Sequence, residues 1–306
     1  MNPRPSFDPG LTTQYSGALL RTINKDGSFN VRRRGWSGLA GSTYMHLVRM
    51  PWGAFLLIVA AAFLAVNALF AVVYATMGPG GIRASDDLQL GSFARAFFFS
   101  VHTLTTVGYG DVYPVGLAAN MVAALEAATG LIGFALATGL LFARFSRPSA
   151  LLVFSDRMIV APFGEGSSLQ FRIANQRSNV LMNLEADMVL MTVERATDGQ
   201  LKRQFTELLL ERRTVFFLAL TWTIVHPIDE ASPLRGLTRQ DLERLQAEVL
   251  ILIKGFDDTF SQVVHSRYSY RWDEIEWSAR FVPAFEVAPE GHMVLDGSKI
   301  SQTKPV

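Results

Sequence analysis

Between positions 105 and 111 the chain reads Thr-Thr-Val-Gly-Tyr-Gly-Asp. The chemistry on offer here lies in the backbone carbonyls more than in the side chains. A potassium ion exchanges its hydration shell only for oxygens set at matched spacing, and four chains that each present a TVGYG strand supply such oxygens. Gly108 and Gly110 are required because turning successive carbonyls to one side takes backbone angles at positive φ. On this reading potassium is held at Thr106, Val107, Gly108 and Tyr109, and Gly110 completes the segment. The Thr106 hydroxyl adds an oxygen at the inner end, while Val107 and Tyr109 point away from the axis and brace the strand. Irregular backbone of this kind is tolerated at membrane depth only where it lines a cavity. The neighbouring elements must therefore provide both the membrane span and the wall.

They have the lengths to do so. Trp52 to Met77 carries no charge, and as a helix it extends roughly 38 Å, enough to cross a bilayer with some tilt. Gly116 to Phe145 is a second apolar span, with Glu126 its one acid. Its Gly130, Gly133 and Gly139 suit close packing, and Pro148 ends it. Between the spans, residues 78–91 read as a Gly-rich loop. Ser92 then caps a short aromatic helix, too short to span, whose C-terminal dipole favours a cation beyond it. Upstream, residues 35–51 suit an interfacial helix, with Trp52 as its anchor. Basic residues crowd the N-terminal flank, whereas the loop between the spans has Arg83 beside Asp86 and Asp87. The positive-inside rule puts both termini in the cytoplasm.

Composition agrees with this division. The 306 residues are 49% hydrophobic and only 18% charged, with a mean hydropathy of +0.23, which argues against an ordinary soluble protein and against disorder. Twenty-eight basic and 27 acidic residues leave a formal charge of +1, so nothing in the balance points to nucleic acid. With no cysteine, disulfides, thiolate metal sites and cysteine nucleophiles drop out together. The five histidines have no metal-ligand spacing, and HExxH, GxSxG and P-loop motifs are missing. The chain reads as a non-enzyme without a cofactor. His226, ahead of Pro227, reads as structural.

After Pro148 the pattern changes to short alternating runs, clearest at Leu169, Phe171 and Ile173 against Gln170 and Arg172. That is the signature of half-buried strands, and with little helix it predicts a β-sandwich. One helix is expected from Thr238 to about Val249. The stretch FGEGSSL (163–169) superficially resembles the phosphate-binding loop of cyclic-nucleotide domains, the alternative being a channel with a nucleotide-sensing gating domain. An alternating strand follows it at once, which disfavours that reading.

Taken together, TVGYG, FARFSRP (142–148), RMIVAPFGEGSSLQFRIANQR (157–177), HPIDEASPL (226–234) and WDEIEWSARFVP (272–283) resemble prokaryotic inward-rectifier potassium channels of the KirBac type. The resemblance covers about residues 35–296. It implies a two-helix pore with a re-entrant pore helix, joined to a cytoplasmic immunoglobulin-like β-sandwich, in a homotetramer of the cell membrane whose permeant ligand is K+. The division expected is a cytoplasmic tail (1–34), a slide helix (35–51), a pore domain (52–147), a sandwich (148–296) and a polar tail (297–306). Within the pore domain the outer helix is 52–77, the pore helix 92–105, the filter 106–110 and the inner helix 116–145.

By the same resemblance, Phe142 would gate the helix bundle, and Arg49, Arg144 and Arg147 would face anionic phospholipids or phosphoinositides. Phe134 takes the cavity position where strong rectifiers carry an acid. In the cytoplasmic pore, Asn183 and Asp258 match the family's two acidic positions. Glu185 and Asp187, placed on the face of Asn183 by strand alternation, are candidate substitutes. Weak rectification is expected. His102 and Glu126 are expected to share a polar network that braces the filter and responds to acid pH, the alternative being a hydrogen-bonded Glu126 with no regulatory role.

Overall fold

The computed structural model describes residues 9–13, 21–31, 39–78, 80–84, 91–146, 150–195 and 199–306. The chain forms two compact units, residues 35–147 and residues 1–34 with 148–306.

The first unit is helical. Helix α1 (Leu39–Arg49) precedes α2 (Trp52–Thr76). A short strand β1 (Ile82–Ala84) leads to helix α3 (Ser92–Leu104), strand β2 (Val112–Pro114) and helix α4 (Gly116–Phe145). Both α2 and α4 are long and apolar enough to cross a membrane, and little of either is buried within the chain. Ser92 is the first helical residue of α3 rather than its cap; Gly91 holds the cap position, without a side-chain bond. β1 and β2 pair antiparallel, tying the loop after α2 to the segment after the TVGYG run.

The second unit is a sandwich of two five-stranded sheets. Its strands in order are β3 (Leu152–Phe154), β4 (Met158–Phe163), β5 (Gly166–Asn175), β6 (Leu181–Arg195), β7 (Leu201–Glu207), β8 (Thr214–Leu218) and β9 (Thr221–Pro227). Helix α5 (Arg239–Arg244) follows, then β10 (Glu248–Asp257), β11 (Gln262–Arg271), β12 (Ile275–Trp277), β13 (Ala279–Phe281), β14 (Phe285–Val287), β15 (Met293–Leu295) and β16 (Thr303–Pro305). One sheet runs β11-β10-β6-β7 with β8 also on β6; the other runs β12-β4-β5-β3 with β9 also on β5. Alternation gives each sheet one apolar face, and Met158, Phe171 and Ile224 of one sheet join Leu184, Met188 and Ile251 of the other in a single core.

Three expectations need correction. The helix begun at Thr238 stops at Arg244, because Gln246 takes a φ of 47° and Val249 belongs to β10. Thr238 and Asp241 do form the reciprocal cap. The segment expected as a tail is docked over residues 21–31: Ile23 is buried against Val189, Met191, Phe205 and Leu250, and the amides of Thr22 and Ile23 donate to the Glu248 carboxylate. The end of the chain is likewise ordered, since β16 pairs with β13. Both corrections come from contacts distant in sequence, which composition does not reveal.

Candidate functional site

The site is built from the end of α3 outward. Thr105 closes the helix with its amide on the Val101 carbonyl, and the backbone then alternates. Thr106, Gly108 and Gly110 lie at φ of 59°, 56° and 87°, with Val107 and Tyr109 between them on the ordinary side. Alternating the sign of φ turns successive peptide planes the same way, which lines their carbonyls up along one side. Glycine adopts such angles freely. Thr106 does not, and its left-handed backbone is the part of this device that residue types alone did not disclose.

His102 anchors the start of this run. Its carbonyl accepts from the amides of Val107 at 2.9 Å and Gly108 at 3.3 Å. Its imidazole meets the Tyr109 ring edge-on, with centroids 4.9 Å apart at 90°. One residue thus holds the segment through its backbone at one end and through its ring at the other.

Glu126 is fully buried on α4, and its partners are elsewhere. The Tyr74 hydroxyl donates to Glu126 Oε2 at 2.7 Å, and Glu126 Oε1 meets Ser100 Oγ in a short contact. Ser100 Oγ also reaches Asn67 Oδ1 at 3.0 Å, and Asn67 Nδ2 donates to the Phe63 carbonyl at 2.8 Å. One hydroxyl proton cannot serve two acceptors. A proton on Glu126 lets it donate to Ser100 and Ser100 donate to Asn67, so every group is satisfied. The shared network with His102 is therefore corrected. Glu126 joins α2, α3 and α4 through Tyr74, Ser100 and Asn67, and His102 acts directly on residues 107–109. Beside this network, Gly130 passes so close to α3 that a Cβ there would lie 2.0 Å from the Leu104 carbonyl oxygen. Gly133 and Gly139 have no such neighbour among the described residues.

Arg144 also departs from expectation. Its guanidinium donates to the Leu47 carbonyl at 2.5 Å and to the Met50 carbonyl at 2.7 Å, satisfying the end of α1. It stacks 4.6 Å from the Trp52 ring and 4.5 Å from the Phe55 ring. Half-buried, it clamps the ends of α1 and α4 to the start of α2. Arg49 is exposed, and Arg147 lies outside the described residues. Phe134 and Phe142 are both exposed on α4.

In the sandwich, Asn183 takes a φ of 49° where the β6–β10 register shifts between Lys254 and Phe256. It is the extra residue of a bulge, and beyond it Leu184 and Ala186 are buried while Glu185 and Asp187 are half-buried, so the alternation that sets both acids on its face holds. Those two acids are themselves matched. Arg213 lies 3.0 Å from Glu185 and 2.6 Å from Asp187, and Lys254 lies 3.5 and 3.2 Å from the same pair. Asp187 foremost raises the pKa of both cations. Asp258 is exposed in the β10–β11 turn. Its neighbour Asp257 is the buried acid that holds the turn, accepting from the amides of Thr259 and Phe260 and from Asn179.

Two further motifs resolve. FGEG is the tight β4–β5 hairpin, with Phe163 opposite Gly166 and Gly164 at a φ of 57°, a turn rather than a phosphate cradle. His226 is buried between the Leu209 carbonyl, 2.5 Å from Nδ1, and the Ser232 hydroxyl, 2.8 Å from Nε2. Burial lowers its pKa. The carbonyl can only accept, which fixes the Nδ1–H tautomer.

Comparison with known proteins agrees with this architecture unit by unit. Residues 152–306 match the family model for the inward rectifier potassium channel C-terminal domain, and residues 55–147 match that for an ion channel. The inward rectifier potassium channel Kirbac3.1 of Paramagnetospirillum magnetotacticum is 37% identical over 92% of this chain and 95% of its own length. ATP-sensitive inward rectifier potassium channel 15 of Mus musculus is 28% identical over 93% of this chain and 82% of its own. Channel 10 of the same ATP-sensitive group, also from mouse, is 27% identical over 99% and 84%.

Proposed function

The chain belongs to the inward rectifier potassium channel family, and on that premise we propose that four copies surround one pore, with residues 106–110 as its filter. The observation that carries the reading is the alternation of φ at Thr106, Gly108 and Gly110, anchored by the two amides on the His102 carbonyl. Four such segments would offer rings of carbonyl oxygen to a dehydrated potassium ion. The exposed apolar length of α4, from Leu117 to Phe145, is matched to lipid and to sister copies.

Conduction is passive, and the path narrows where four Phe142 side chains meet, a constriction that closes by dewetting. Arg49 and Arg147 are the basic groups available to anionic lipids at the inner leaflet, on the side that charge asymmetry assigns to both termini. Rectification is weak: Phe134 supplies no cavity acid, and Glu185 and Asp187 are neutralised by Arg213 and Lys254.

The test is rubidium uptake into liposomes that hold the purified protein. Barium-blocked, sodium-insensitive uptake that disappears in Gly108→Ala supports the reading. Uptake that sodium suppresses, or that survives the substitution, contradicts it. A silent wild type is compared with Phe142→Ala: recovery locates a closed gate, and continued silence counts against the pore.

A further inference from the structure

The two-stranded sheet that follows residues 106–110 carries a charge with no partner. Ile82 of β1 and Val112 of β2 pack among Ala71, Tyr74, Ala96 and Phe99. Successive residues of a strand face opposite ways, so their neighbours Arg83 and Tyr113 share the other face, and both are exposed. The two stand directly opposite each other in the register. Among the described residues no carboxylate pairs with Arg83, and a guanidinium stays charged throughout the physiological pH range.

The chain fixes how far this charge lies from the carbonyl run. Tyr113 is three residues past Gly110, at most about 11 Å of backbone, and a directly opposed pair adds about 5 Å. Arg83 is therefore within about 16 Å of Gly110, backbone to backbone. The screening length is about 30 Å at 0.01 M salt and about 3 Å at 1 M, so the charge is felt at Gly110 in dilute salt and hidden in concentrated salt. Asp111, exposed between Gly110 and β2, brings one acid to the same rim. Asp86 and Asp87 lie outside the described residues.

We propose that Arg83 governs the entry of cations at the outer mouth of the pore and discriminates there against divalent ions. The inference rests on the reading of residues 106–110 as the filter of a four-copy pore. Each copy then brings one Arg83 to the rim, and four like charges surround one entrance. Their potential lowers the local concentration of an arriving cation. A divalent ion, with twice the charge, is lowered by the square of the factor that acts on a monovalent one. Arg83 is thus a specificity-determining residue that favours potassium ahead of the filter without touching it.

Barium block of potassium current in planar bilayers tests this, with barium added to one side at a time. Wild type, Arg83→Gln and Arg83→Lys are compared at ionic strengths of about 0.01 M and about 1 M. Arg83 is exposed, so these substitutions leave the fold intact. At the lower ionic strength Arg83→Gln should tighten block from one side about fivefold or more. Current at subsaturating potassium should rise by about the square root of that factor. Both changes should vanish at the higher ionic strength, and Arg83→Lys should match wild type. Equal block in wild type and Arg83→Gln, or a change that persists in concentrated salt, overturns the inference. Tightening from both sides alike overturns it too, because that marks an altered filter. Potassium-selective current with unchanged block leaves the pore standing while this inference falls. A silent wild type moves the comparison into Phe142→Ala, and silence there removes the pore and the inference together.

Discussion

The Tyr74 hydroxyl on α2 donates to Glu126 Oε2 on α4 across 2.7 Å, and Ser100 of α3 meets the other oxygen of the same carboxyl group. Three helices are thus joined through one side chain, with Ser100 two residues before His102 on α3. Hydrogen bonds within a low-dielectric interior are strong when complete and costly when broken.

Donor counting makes the consequence specific. Glu126→Gln places an amide where the protonated acid donates and keeps a carbonyl for Tyr74, so stability and uptake should stay near wild type. Glu126→Ala leaves the Tyr74 hydroxyl unpaired and Ser100 with Asn67 alone, and should cost about 1–3 kcal/mol. Thermal unfolding of the detergent-solubilised protein reads the difference. Equal loss in the two variants would mean that Glu126 works as a charge.

Gly130 gives a sharper steric case. A methyl at 2.0 Å from the Leu104 carbonyl cannot be accommodated without moving backbone, so Gly130→Ala should displace α3 from α4 and abolish uptake. Gly133→Ala, with nothing within 4 Å among the described residues, serves as the comparison and should retain uptake. A functional Gly130→Ala protein would contradict this helix packing.

The pH dependence of the sandwich follows from His226. Its folded pKa is depressed by burial, while in the unfolded chain it is about 6.5. The unfolded state therefore binds the extra proton first, and stability that is fully present above about pH 6.5 is lost as pH falls toward the folded value. Thermal melts at pH 7.5 and pH 5.5 should show a lower midpoint at pH 5.5, with the His226 share of that drop missing in His226→Gln. A drop of the same size in the variant would assign the effect to other groups.

The matched charges of β6, β10 and Arg213, the residue before β8, bear on rectification. Two acids face two cations, so Lys254→Gln uncovers one net negative charge in each chain. Block by spermine or magnesium from the cytoplasmic side should become stronger and steeper with voltage. Unchanged block would place Glu185 and Asp187 off the ion path.

What the sequence made legible was what local pattern determines. Uncharged length marked α2 and α4, alternation marked β5, and two glycines in TVGYG announced positive φ. The rest depended on residues far apart in the chain. The partners of Glu126 lie 52 and 26 positions away, and Ile23 docks beside Leu250, so neither showed in a local window. Arg144 looked like a headgroup ligand by charge and depth, but its reach to the carbonyls of α1 required the helix pairing. The left-handed backbone of the bulge at Asn183 was not announced by its residue type. Hydrogen-bond closure and packing select such details, and neither is written in residue type.

Selective conduction is tested most directly by the reversal potential of purified protein in a planar bilayer, with potassium on one side and sodium on the other. A current that reverses only far toward the potassium equilibrium potential, and loses that selectivity or vanishes in Gly108→Ala, is the predicted result. A reversal near zero, with potassium and sodium carrying comparable current through the wild type, would contradict residues 106–110 as a potassium filter.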